Sequence, residues 1–507
     1  MLRSKLSYLL FAILFLCFGL NQLWADEGSI FTRQNLRVNG KIIGKTYEDL
    51  NGDGLVDFLV FYLEGENENP NSPRGEATGR MVGLFEQQKG SGFDSIPNQT
   101  FELNKKASIV DLVDINKDNK KELLFLADDG IYYYSLNGDS FNKESSLLFS
   151  TNSFLPSSEE NIVIWDFCPD FQNKGQLVII PQKRGFEIWT RNDQGEFVRQ
   201  DKLGFKPDIS LSSSPGELNQ KRGLIHFSYG IPGLIFTDYN KDGKEDILIL
   251  KEDKIHVFLS KEDGFFGEQA DKVLTLKPKD NKEENIDFKI EDINGDGIID
   301  LAVNQSGGDL EKGFKSKISI YLGKEGEGLN LDSPHQVISS EKEQSSLELY
   351  DLNKDGKEEM IVSGAGFNIG SMIKILLAKS VKLDFDVRSL GKNDIYPDQP
   401  NRKIKLNIKV SFGSSDEDNL AMDPSGDFNG DGLNDLFFAG GDNMLKFFLG
   451  RKGDFFADKP QHELGIEIPA GNCKIIDLNN DNKSDIIFSF GDKKELRGKM
   501  VILFSKM

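Results

Sequence analysis

One nine-residue pattern constrains this chain more than any other: Asp-x-Asn-x-Asp-Gly/Asn-x-x-Asp/Glu, followed at once by a short apolar run. It occurs as DLNGDGLVD (49–57), DINKDNKKE (114–122), DYNKDGKED (238–246), DINGDGIID (292–300), DLNKDGKEE (351–359), DFNGDGLND (427–435) and DLNNDNKSD (477–485). A single such stretch reads as an Asx-rich turn. Seven copies with the same residue types at positions 1, 3, 5 and 9 demand a shared physical cause.

Oxygen donors alternate along the loop. Position 1 is Asp49, Asp114, Asp238, Asp292, Asp351, Asp427 and Asp477. Position 3 is Asn51, Asn116, Asn240, Asn294, Asn353, Asn429 and Asn479. Position 5 is Asp53, Asp118, Asp242, Asp296, Asp355, Asp431 and Asp481. Position 9 is always acidic: Asp57, Glu122, Asp246, Asp300, Glu359, Asp435 and Asp485. Calcium is a hard cation that takes oxygen ligands, and a tight curl brings side chains 1, 3 and 5 to one point. Such a curl needs a left-handed residue at position 6, where the chain has Gly five times and Asn at 119 and 482. Position 7 has only its carbonyl to give, and its side chain varies: Leu55, Lys120, Lys244, Ile298, Lys357, Leu433 and Lys483. The expected ligands are therefore positions 1, 3, 5 and 9 through side chains and 7 through its backbone, for up to seven structural Ca2+ ions.

These loops are not EF-hands. An EF-hand carries Glu at position 12 between helices. Position 12 here is Val60, Phe125, Ile249, Val303, Val362, Phe438 or Phe488. The runs FLVFY, LLFLA, ILILK, LAVNQ, MIVSG, LFFAG and IIFSF that follow position 9 read as buried strands. Position 2 is apolar or aromatic each time (Leu50, Ile115, Tyr239, Ile293, Leu352, Phe428, Leu478), so it should point into a core.

Loop starts are spaced by 65, 124, 54, 59, 76 and 50 residues. The double interval contains a decayed copy, IVIWDFCPDFQNKGQLVIIP (162–181), which keeps Asp166 and Asp170 but has Cys168 in place of Asn. It lacks the oxygen count for calcium and is expected to bind none. An alternating strand follows most units (IYYYSL, FEIWT, KIHVFLS, KISIYLG, MLKFFLG), and several then meet a Gly-centred hairpin and a Phe. Strand, loop, strand, turn, strand, hairpin, strand is a propeller blade. The expected fold is all-β: an eight-bladed β-propeller of four-stranded antiparallel blades, with seven blades as the alternative. The last repeat has too few strands, so SIFTRQNLRV (29–38) is expected to complete it and close the ring. Cys168 and Cys473 then fall in blades three and eight and should be free thiols.

The repeated loop running into an apolar strand resembles the FG-GAP repeat family, which includes the integrin alpha-chain propeller and bacterial calcium-loop proteins. GAGFNIG (364–370) is the nearest echo of the signature that names it. The resemblance covers nearly the whole chain after its first residues. It implies a binding or adhesion module, or else an extracellular carbohydrate-active enzyme such as a calcium-dependent polysaccharide lyase.

The remaining features set limits. Residues 1–25 have Arg3 and Lys5, an apolar run to Leu20 and Ala25 before Asp26, the layout of a secretory signal peptide. The propeller domain is then 26–507, in a secreted, periplasmic or cell-surface protein with no later transmembrane segment. Removing residues 1–25 takes the formal charge from −21 to −23. Such a surface repels nucleic acid; seven divalent ions would add 14 charges and leave −9. His226, His256, His335 and His462 are scattered, and no nucleophile elbow, zinc motif or phosphate loop is present. Segments 64–79, 205–233 and 389–425 interrupt the repeat and are expected to form a loop rim for a protein or carbohydrate ligand, on a chain acting as a monomer.

Overall fold

The computed structural model describes residues 30–506 apart from 65–78, 158–160, 172–175, 215–223, 263–264, 277–284, 310–312, 341–342, 366–376, 410–420, 441–443, 467–472 and 491–495. The 1–25 segment, most of GAGFNIG and much of the three interrupting segments lie outside the described residues. No described helix is long and apolar enough to cross a membrane.

The fold is an eight-bladed β-propeller. Contacts divide it into two compact units, the first Met1–Phe101, Lys379–Val381 and Asn407–Met507, the second Glu102–Ala378 and Lys382–Leu406. In the first, blade one is Lys41–Glu48, Asp57–Glu64, Gly79–Phe85 and Gln99–Glu102. Blade seven is Ala421–Gly426, Asp435–Ala439, Met444–Phe448 and His462–Gly465. Blade eight takes Cys473–Ile476, Asp485–Ser489 and Lys499–Ser505 from the C-terminus, and its fourth strand is Phe31–Arg37. That closing strand runs antiparallel to the last one, Phe31 opposite Ser505 and Arg37 opposite Lys499. Every backbone group that an exposed edge would have left unpaired along Lys499–Ser505 thereby gains a neighbour.

Four further blades repeat the plan. Blade two is Ile109–Val113, Glu122–Leu126, Gly130–Tyr134 and Ser146–Ser150; blade four is Gly233–Thr237, Asp246–Lys251, Lys254–Phe258 and Lys272–Thr275. Blade five begins at Asn285 and blade six ends at Lys409. The decayed repeat is blade three, so the seven-blade alternative does not hold. Its sheet pairs Val178–Gln182, Gly185–Arg191 and Phe197–Gly204. Val163–Ile164, which precede them, pair in parallel with Ile109 and Val110 of blade two. The 205–233 segment is not irregular throughout: Asp208–Ser214 and Leu224–Gly230 form a hairpin, with Ser210 opposite Ser228. Part of 389–425 is likewise regular, Arg402–Lys409 being the fourth strand of blade six.

Burial explains the hydrophobic patterning. The second strand of each blade is covered on both faces, so it reads as a continuous apolar run; Asp57–Leu63 and Glu359–Ala365 are buried throughout. Fourth strands alternate instead, as in His462–Gly465. Between blades the cores are aromatic. Phe31, Phe428 and Phe447 meet with ring centroids 4.9–6.0 Å apart, and Leu36, Phe58, Phe85 and Ile487 fill the space between blades eight and one. All seven position-2 side chains are buried, as their apolar character predicts.

Candidate metal centres

The seven loops share one hydrogen-bond pattern. The position-1 carboxylate accepts the backbone N–H of position 5 through one oxygen and of position 6 through the other, at 2.7 to 3.2 Å. The Asn amide oxygen at position 3 also accepts from position 5 N–H, at 2.9 to 3.2 Å. The position-5 carboxylate accepts from position 7 N–H, at 2.8 to 3.0 Å. Side chains 1, 3 and 5 are thus gathered inside one curl by the backbone that they wrap.

The curl needs two left-handed residues. Position 6 is left-handed as expected, from Gly54 (φ 86) to Asn482 (φ 63). Position 4 is left-handed too: Gly52, Lys117, Lys241, Gly295, Lys354, Gly430 and Asn480 have φ between 56 and 78. This requirement escaped the sequence reading because Lys fills the position three times, and Lys has no preference for that region. With Gly at position 4, its N–H also donates to the position-1 carboxylate, at 2.7 to 2.9 Å for Gly52, Gly295 and Gly430.

Position 9 has a duty that its acidity alone did not reveal. Each of these carboxylates is 0–1% exposed. One oxygen accepts the N–H of position 2, at 2.8 to 3.2 Å in all seven loops. Where position 9 is Asp, the other oxygen accepts an N–H at or just past the end of the third strand: Gln87, Ser260, Gly323, Gly450 or Ser505, at 2.6 to 2.8 Å. Glu122 and Glu359 are one methylene longer, and their second oxygen meets the Asn116 and Asn353 amides at 2.9 Å. The acid therefore clamps loop to blade.

Electrostatics favour a cation. Burial pushes the carboxyls of Asp57, Glu122, Asp300, Glu359, Asp435 and Asp485 up to about 7, and that of Asp246 to about 6. Backbone hydrogen bonds pull the other way, while the carboxylates at positions 1 and 5 raise them further. Among the described residues no group of three His, Cys, Asp or Glu side chains stands close enough to form a metal cage. The donor set nonetheless fits a hard divalent ion in kind: carboxylate, amide and carbonyl oxygens only. Two position-7 side chains turn away from the curl, Lys120 to the Gly138 carbonyl and Lys357 to Asp394, whereas Lys244 lies between Glu262 and its own loop's Asp242, at 3.4 and 3.8 Å.

Blade three replaces its lost loop with contacts to blade two. Asp111 accepts the N–H groups of Phe167 and Cys168, both at 3.0 Å. Gln176 and Arg191 donate to the Asp114 and Ile115 carbonyls, at 2.6 and 3.1 Å. Cys168 and Cys473 are both free.

Comparisons with known proteins agree with the repeat. A family model described as FG-GAP-like repeat matches residues 238–303 and 427–488. No curated protein matches. Similar solved structures include the Dos1 propeller (10% identity, 93% of this chain and 94% of that one, TM-score 0.41). Others are an Agrocybe aegerita lectin recognising non-reducing terminal N-acetylglucosamine (12%, 76% and 96%, 0.37) and the V. cholerae biofilm matrix protein Bap1 (11%, 92% and 88%, 0.34). The chain therefore carries FG-GAP-like repeats at 238–303 and 427–488, each stretch holding two of the seven loops, within an eight-bladed β-propeller.

Proposed function

We propose that the protein is an exported binding or adhesion module whose seven loops carry calcium as a structural ion. The carrying observation is the repetition of one wrapped loop that gathers buried and exposed carboxylates around the same backbone curl, a basic side chain among the described residues reaching such a carboxylate only in the 238–246 loop, where Lys244 lies 3.8 Å from Asp242. In each loop the side chains at positions 1, 3, 5 and 9 and the carbonyl at position 7 would hold the ion. The ion would cancel repulsion that the loop's own N–H groups offset only in part. Rigid blades would then present the intervening segments to a protein or carbohydrate ligand.

The test is calorimetric titration of residues 26–507 with calcium, paired with thermal melting in calcium and in chelator. Binding of up to seven ions with a raised melting temperature is expected; each ion at a hundredfold excess over its Kd stabilises by about 2.7 kcal/mol. Absence of both binding and shift would reduce the loops to Asx turns and refute the proposal.

A further inference from the structure

A cavity of about 340 Å³ opens between the first strands of blades one and eight, within the first unit. It belongs to none of the loops. A bulge at Ile43, where the register skips from Ile42 to Gly44, re-aims the first strand of blade one beside it. Lys45 follows the bulge, and its ammonium donates to Ser489 Oγ at 2.6 Å.

Two features of the cavity are unfinished. Among the described residues no Asp or Glu pairs with Lys45, and burial pushes its amine down to about 8. The titratable group acting on it is Cys473, whose thiol burial and Asp423 push up to about 11, so it is neutral near pH 7 and supplies no counter-charge. The Tyr47 hydroxyl is buried with no hydrogen-bond partner, and burial raises its pKa, so it remains a donor. A part-buried ammonium without a counter-charge and a buried hydroxyl without an acceptor each cost free energy. On a chain of formal charge −21, this cavity is lined by Lys45, Lys474 and Lys499 and, among its described lining residues, by no carboxylate. Ile42 and Phe490 supply apolar wall.

We propose that this cavity binds a small organic carboxylate, its carboxyl group accepting from Lys45 and Tyr47 and its body lying against Ile42 and Phe490. The charge rules out a neutral ligand as the best fit, and the apolar wall disfavours a bare inorganic anion. The size matches ordinary small-ligand sites, which begin at about 300 Å³. The site is independent of whether the loops carry calcium.

The experiment titrates the full chain with benzoate, phenylacetate and glucuronate, each against its neutral counterpart benzamide, phenylacetamide or glucose, by ligand-observed NMR. At least one acid should bind in the millimolar range or tighter, with its neutral counterpart about tenfold weaker or more, a difference of about 1.4 kcal/mol. Lys45→Met should weaken that acid by about tenfold or more and leave the neutral compound unchanged. Tyr47→Phe should weaken it by a smaller factor. Melting of Lys45→Met should be unchanged or raised, because a part-buried ammonium with no counter-charge is removed. Equal binding of acid and neutral compound, an unchanged acid affinity in Lys45→Met, or no binding by any of the three acids would each overturn the proposal.

Discussion

The clamp at position 9 separates from the metal by experiment, and Asp435 is the place to do it. Its carboxylate is wholly buried and accepts from Phe428 N–H at 2.8 Å and Gly450 N–H at 2.6 Å. Asp435→Asn keeps one acceptor and sets an amide NH2 against the other donor. One buried N–H is then unsatisfied, a cost of about 1–3 kcal/mol. Asp435→Ala strands both donors and should cost about twice that, roughly 2–6 kcal/mol. Asp431→Asn is the control, since Asp431 lies in the exposed part of the same loop and accepts only from Leu433 N–H and the Asn429 amide. Urea unfolding followed by tryptophan fluorescence, in calcium and in chelator, reads all three. In chelator the two Asp435 variants should be destabilised in the order Asn then Ala, while Asp431→Asn is near neutral. In calcium all three should lose stability. If Asp435→Asn proves neutral in chelator, the backbone clamp contributes nothing and the burial of position 9 needs another cause.

Three further outcomes are expected. Lys117→Gly should stabilise the protein by about 1 kcal/mol in urea, because Lys117 sits at φ 64, where a side chain is strained; destabilisation would contradict this. Burial, reinforced by Asp166, raises Asp111 to about 7, above the unfolded carboxyl value. The stability it contributes is therefore present at low pH and lost as pH rises through about 7, so wild type should lose stability relative to Asp111→Asn between pH 5 and 8. A gap that is constant or reversed would refute the assignment. Phe31→Ala should cost about 3–5 kcal/mol, since Phe31 is 3% exposed on the closing strand and packs on Phe428 and Phe447; a cost below about 1 kcal/mol would show that this strand is not part of the core.

By itself the sequence determined the repeat, the blade and the loop. Fixed Asp and Asn at short range dictate a curl, an apolar position 2 dictates its anchoring, and an apolar run after position 9 dictates a strand covered on both faces. These are local consequences of side-chain chemistry, so spacing reveals them. The closing strand was legible for the same reason: blade eight lacked a strand and 29–38 alternated suitably. The tertiary structure decided what depends on partners distant in sequence. Position 9 meets N–H groups 14 to 30 residues away where it is Asp. Asp111 holds the backbone of Phe167 and Cys168, and Lys45 finds Ser489 across 444 residues. No local pattern encodes such meetings, because a side chain's neighbours across blades are set by how the blades pack and not by what stands beside it in the chain.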